Sequence, residues 1–195
     1  MTDPSPSETF RSVASRFSTV VDGVRSADAW DAPSPVAGWT ARDVVGHLVE
    51  WFPAFLAAGT GIELSPGPSV VDDPAGAWRV LCEEVQDLLD EPGSVDVMLI
   101  NEHIGEVPLP QAIDRFFTGD VFMHTWDLAR ATGQDDTLDP GRCEETYLGM
   151  LPMDEMLRSS GQFGPRVDVP EDSDFQTKLI GFIGRDPAWQ PDRSA

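Results

Sequence analysis

Cysteine is scarce in this chain: 195 residues hold two, Cys82 and Cys143, far apart and outside any CxxC pattern. That excludes a disulfide framework and a thiolate zinc site, and leaves two reduced thiols in or near a core. Basic residues are few as well. Thirteen Lys and Arg stand against 34 Asp and Glu, a formal charge of −21, so the surface repels phosphate backbones and anionic headgroups, and neither nucleic acid nor a membrane is expected as a partner. No segment reaches the roughly 18 apolar residues that a transmembrane helix needs. The opening MTDPSPSETF has neither a basic region nor an apolar stretch. The expectation is a cytoplasmic protein. Histidine is limited to His47, His103 and His124, so any imidazole chemistry rests on three positions.

A hydrophobic content of 41% is sufficient for one sizeable core, and the length fits a single domain over 1–195 with an irregular tail after about residue 185. Ser5-Pro6-Ser7-Glu8 reads as a capping box with proline at the first helical position, followed by Phe10, Val13, Phe17 and Val21 at helical spacing, which predicts a helix over about 6–26. After the proline-rich WDAPSPVAG loop, Thr40 to Asp43 opens a second helix near Ala41, with Pro53 predicted to kink or restart it before it ends by Gly59. Ala77, Val80, Leu81, Val85, Leu88 and Leu89 mark a third helix that stops before Pro92-Gly93. The segment 94–109 lacks helical periodicity and reads as an extended connection with a short hairpin, long enough to cross a bundle. A fourth helix runs from Pro110 to Gly133. A fifth over about 140–159 carries a break at Pro152, and a short last helix spans about 173–184. The pattern predicts an all-α helical bundle.

Within the fourth helix, GDVFMHTWDLARATG (119–133) places Asp120 and His124 four residues apart, on one helix face, in an otherwise apolar run. A buried carboxylate there is costly unless a cation or donor neutralises it. Carboxylate plus imidazole is a metal-ligand pair, and it is equally a hydrogen-bonded polar pair in a core. A third ligand decides between the two. His47, in GWTARDVVGHLVEW, lies in an apolar helical run beside a glycine that permits close approach, and packing of the second and fourth helices brings it to the pair. Two histidines and a carboxylate with an open position describe catalytic zinc, with nickel, iron or manganese as alternatives. Asp43, four before His47, and Asp127, three after His124, are candidates to orient the two imidazoles through their distal N–H groups; Arg42 and Arg130 are the competing partners for these acids. Trp39, Trp51 and Trp126 are candidate pocket walls, or plain core. His103, in the irregular connection, reads as a surface residue or a pocket lining.

Three motifs, GWTARDVVGHLVEW (38–51), DVFMHTWDLARATG (120–133) and LIGFIGRDPAW (179–189), together resemble the metal-binding domain of mycothiol-dependent maleylpyruvate isomerases within the DinB-like superfamily. The likeness extends over nearly the whole chain and is greatest to the small stand-alone members of that group. It implies a DinB-like four-helix bundle with a long crossover connection and extra C-terminal helices. It also implies a divalent metal held by His47, Asp120 and His124, the positions reached independently from the spacing. In the isomerase the acidic ligand is glutamate, one methylene longer than Asp120, and a separate C-terminal domain helps to form the active site. Maleylpyruvate isomerisation is therefore not expected here. The GRDPAW segment reads as a helix cap and anchor, with Arg185 pairing to the acidic bundle.

The leading expectation is a metal-dependent enzyme of S-transferase or isomerase type. Its metal holds the sulfur of a small thiol such as mycothiol as thiolate for attack on an electrophilic substrate. One alternative is a hydrolase using metal-bound water, with Glu50, one turn after His47, as base. The other is a non-enzymatic bundle that binds metal or a small molecule, as a stress-response protein. The resemblance also raises a homodimer as one arrangement.

Overall fold

Reciprocal hydrogen bonds between Ser5 and Glu8 open α1 (Pro6–Asp22) at the predicted cap. The computed structural model describes residues 4–191; the first three residues of the N-terminal stretch and the last four of the expected tail lie outside the described residues. α1 stops four residues earlier than the spacing predicts, at Gly23, where no side chain is available to bury and helical backbone is entropically unfavourable. A short 3-10 turn at Ala27–Asp31 then leads to α2 (Ala41–Thr60), capped by Thr40 and Asp43.

α2 runs through Pro53 without restarting and ends at Thr60, one residue past the expected Gly59, with left-handed Gly61 as its C-cap. An interior proline costs about 3 kcal/mol. Burial of Phe52 and Leu56, both at most 1% exposed, contributes about 1.5–3 kcal/mol each, so packing offsets the defect. Gly59 is a close-approach position and not a stop. A Cβ there would lie 2.8 Å from Leu99 Cγ, and its absence lets the following hairpin lie on α2.

α3 (Pro74–Asp90) is capped by Asp73, whose carboxylate accepts from Gly76 N at 2.8 Å. The connection after it contains a 3-10 turn (Pro92–Asp96) and an antiparallel hairpin of β1 (Met98–Asn101) and β2 (Gly105–Pro108), in register Met98 to Pro108 and Asn101 to Gly105. It is the one sheet among the described residues. α4 (Leu109–Ala112) passes into a π-helical turn, Ile113–Thr118, and then into α5 (Gly119–Thr132), closed by left-handed Gly133. The sequence predicts one uniform helix here; the wider turn is a difference with consequences for the site. Pro152 divides the fifth predicted helix into α6 (Pro140–Met150), a 3-10 turn (Leu151–Met153) and α7 (Asp154–Ser159). α8 (Phe175–Phe182) follows.

α1 packs on α3 and α5, and α2 packs on the same two helices, so α1 and α2 lie diagonally across a four-helix bundle. The segments 23–40 and 91–118 are the connections across the diagonals, and α6 and α8 pack on each other beside the bundle. This is the expected all-α bundle with a long crossover and extra C-terminal helices. Aromatic rings fill its centre: Phe52 and Phe117 stack at 4.0 Å, and Phe17 meets the Trp78 ring edge at 4.5 Å. Among the described residues no helix is long and apolar enough to cross a membrane.

Candidate metal centre

α2 and α5 are neighbours, and their facing surfaces carry the polar residues singled out above. His47 Nε2 lies 3.1 Å from Asp120 Oδ2, and His124 Nε2 lies 3.5 Å from Asp120 Oδ1. One ligand atom from each of the three residues falls within 4.8 Å of the others. Zinc bound at 2.0–2.1 Å holds tetrahedral ligands roughly 3.3 Å apart; each histidine lies near that separation from a different Asp120 oxygen, and a set with one atom per residue is complete within 4.8 Å. The two rings are 5.0 Å apart at 67°. The donors fit a divalent metal with an open side, because His124 is 6% exposed, Asp120 20% and His47 32%. Solvent reaches the cluster from the His47 edge.

Neighbouring groups hold these side chains in place. Trp51 Nε1 donates to Asp120 Oδ2 at 2.9 Å, so this tryptophan is a hydrogen-bond donor to the acid as well as a wall. The Trp39 ring lies 5.1 Å from His47 and stacks on His124 at 5.8 Å and 21°. His124 Nδ1 is 2.9 Å from Asp127 Oδ2, and Arg185 donates to both Asp127 oxygens, Nε to Oδ1 at 3.2 Å and Nη2 to Oδ2 at 3.3 Å. Burial would raise the Asp120 carboxyl, but His124, then His47 and the Trp51 N–H, outweigh it and hold it below the usual carboxylate range. Burial likewise opposes charge on His124, yet Asp120 and Asp127 together raise its pKa above the ordinary imidazole value. Asp127, fully buried, is held low by its His124 and Arg185 hydrogen bonds against the same desolvation.

Other expected members of the site are elsewhere. Asp43 caps α2, accepting from Thr40 N and Oγ1 at 2.7 Å. Its carboxylate is engaged in the capping box at the start of α2, so it makes no hydrogen bond to the His47 ring one turn later. Trp126 is buried in the core with the Arg130 guanidinium 5.2 Å from its ring, because two residues along a helix is about 200° around it, opposite His124. Glu50 is exposed and makes no hydrogen bond to the cluster. His103 sits in the hairpin turn with an 82% exposed side chain beside Glu102. Arg42 pairs with Asp31 and Arg130 with Asp136, so neither competes for the site acids. The π turn just before Asp120 has no signal in composition or spacing; it adds a residue between the core-facing Ile113 and Phe117 and the site-facing Asp120 and His124.

Comparison with known proteins matches residues 10–129 to the family described as the mycothiol maleylpyruvate isomerase N-terminal domain. Uncharacterised proteins from two strains of Mycobacterium tuberculosis, CDC 1551 and H37Rv, are each 28% identical over 178 residues, 87% of this chain and 91% of theirs. No solved structure matches at significance. The matched residues contain His47, Asp120 and His124 and stop short of Arg185.

Proposed function

Since the chain belongs to the mycothiol maleylpyruvate isomerase N-terminal domain family, we propose that it is a zinc-dependent enzyme of S-transferase or isomerase type working with a small thiol such as mycothiol. The observation that carries this reading is the convergence of His47, Asp120 and His124 from two helices on one point with an open side. Zinc bound there supplies a Lewis acid that keeps a coordinated thiol deprotonated at neutral pH. Asp120, one methylene shorter than the glutamate expected from the resemblance, still reaches both histidines.

His47 and His124 supply neutral nitrogen donors, and Asp120 compensates part of the ion's charge. Trp39 covers the His124 side and excludes water there, leaving the half-open His47 edge for the thiol and its electrophilic substrate. The chain's own sulfurs do not serve as nucleophile: burial pushes the Cys82 thiol up to about 11 and the Cys143 thiol up to about 12. This supports a reacting sulfur brought by a small molecule. A hydrolase needs a base near the ion. Glu50 points to solvent, and Asp127 is committed to Arg185 and His124, which favours the thiol reading.

The test is elemental analysis of protein purified without chelators or a histidine tag, beside His47→Ala and Asp120→Ala, followed by calorimetric titration with mycothiol. Near one zinc per wild-type chain, its loss in both variants, and thiol binding only to the loaded protein are expected. Wild type that cannot be loaded with zinc, nickel or manganese would make the three residues an ordinary polar cluster, and zinc uptake without thiol binding would sink the thiol dependence alone.

A further inference from the structure

Asp127 is wholly buried and Arg185 is 13% exposed at the side chain, a buried ion pair joining residues 58 apart in sequence. Such a pair is weak as a source of stability, because desolvation consumes most of the attraction. Its geometry here is directed instead. Asp127 uses Oδ2 to engage His124 Nδ1, the nitrogen that does not face Asp120, while Arg185 holds both oxygens. That leaves the carboxylate no freedom to rotate off the ring.

The guanidinium is itself aimed by backbone. α8 ends in a turn with Gly184 at φ +83, Arg185 N donating to Ile180 O at 3.0 Å. A Cβ on Gly184 would come within 3.0 Å of the backbone of Gly164 and Pro165, so two strands of main chain meet there without room for a side chain. Arg158 clamps the same junction, donating to the carbonyls of Gly164 and Phe182, and Arg185 Nη1 returns to Ile183 O at 3.1 Å.

We propose that Arg185 is a positioning residue for the metal centre: the Gly184 turn holds its guanidinium on Asp127, Asp127 fixes the His124 ring, and docking of the C-terminal segment is thereby coupled to metal binding. The inference rests on the metal reading of His47, Asp120 and His124. Carboxylates behind a ligating histidine set its tautomer and orientation, and losing such a partner lowers metal affinity about 10–100-fold. By reciprocity, bound metal holds the C-terminal segment more tightly by the same factor.

The experiment compares wild type with Arg185→Gln, Arg185→Lys and Gly184→Ala, and with Val85→Ala in the α3 core as a control for lowered stability. Zinc affinity is measured by chelator competition, and the His124 ring nitrogens by long-range proton–nitrogen correlation on metal-free protein at alkaline pH. Arg185→Gln and Gly184→Ala are expected to weaken zinc about 10–100-fold and to turn a single Nδ1–H tautomer into a mixture. Arg185→Lys, which keeps the charge and loses the fork, falls between, and Val85→Ala changes neither readout. Unchanged zinc affinity and an unchanged ring pattern in both Arg185→Gln and Gly184→Ala would overturn the proposal and leave Arg185 a plain anchor. A wild type that takes up no zinc, yet shows the Arg185-dependent tautomer, removes the metal reading and retains the hold on His124.

Discussion

The acid and histidine of GDVFMHTWDLARATG are neighbours by helical spacing, and that much follows from residue identity alone. Their shared neighbour, His47, needs α2 against α5, and Asp127 needs Arg185 from beyond the matched region. At this scale the pH dependence has a definite sign. In the metal-free protein the His124 pKa is raised above its ordinary 6.5. The resulting stabilisation is fully present below that value and lost as pH rises through the folded-state pKa. Zinc requires the neutral ring, so its affinity moves oppositely, weakening as pH falls through the same window. Urea midpoints across pH 6–9 (about the imidazole range) should therefore fall with rising pH after chelation and rise with it when zinc is limiting. His124→Ala should flatten both curves and abolish stoichiometric metal while leaving far-ultraviolet helix content largely intact.

Helix starts were readable because capping is local: Ser5 with Glu8 and Thr40 with Asp43 each satisfy donors within one turn. The same locality explains one misassigned role, since Asp43 is engaged by its own cap. Interruptions were less readable. Pro53 and Pro152 carry the same intrinsic defect, yet α2 continues through the first while the second lies in a 3-10 turn between α6 and α7. The difference is the burial available to flanking residues: Phe52 and Leu56 are in the core, whereas neither Leu151 nor Met153 is fully buried. Pro53→Ala should accordingly stabilise the protein, by about 1–3 kcal/mol in denaturant unfolding, because it restores a donor to the Val49 carbonyl within a helix already held in place. Phe117→Ala should cost about 3–5 kcal/mol, since it empties a fully buried position stacked at 4.0 Å on Phe52.

For the whole molecule, a charge of −21 opposes compaction through self-repulsion. Most of the ion pairs are at least partly exposed and contribute little each. Raising sodium chloride from about 0.02 to 0.3 M, which shortens the Debye length from roughly 20 to 6 Å, should raise the thermal midpoint; a fall would mean that ion pairs outweigh the repulsion. Metal acts on the same equilibrium by linkage. Zinc at a hundred times its dissociation constant should add about 2.7 kcal/mol to unfolding, and His47→Ala should remove that increment.

Periodicity and local capping sufficed to specify an all-α bundle, and spacing on one helix sufficed to pick out Asp120 and His124, because both depend on groups within a turn or two. The family resemblance was likewise legible in short motifs, of which GWTARDVVGHLVEW and most of DVFMHTWDLARATG fall within the matched residues 10–129. Tertiary structure decided what spacing cannot: that Trp51 donates to Asp120, that Trp126 faces the core, that Glu50 faces solvent, and that a π turn separates the core-facing and site-facing residues of the α5 region. It also decided that Arg185 reaches Asp127. These are contacts between segments remote along the chain, settled by which surfaces packing brings together, and that competition is global even where every helix is local.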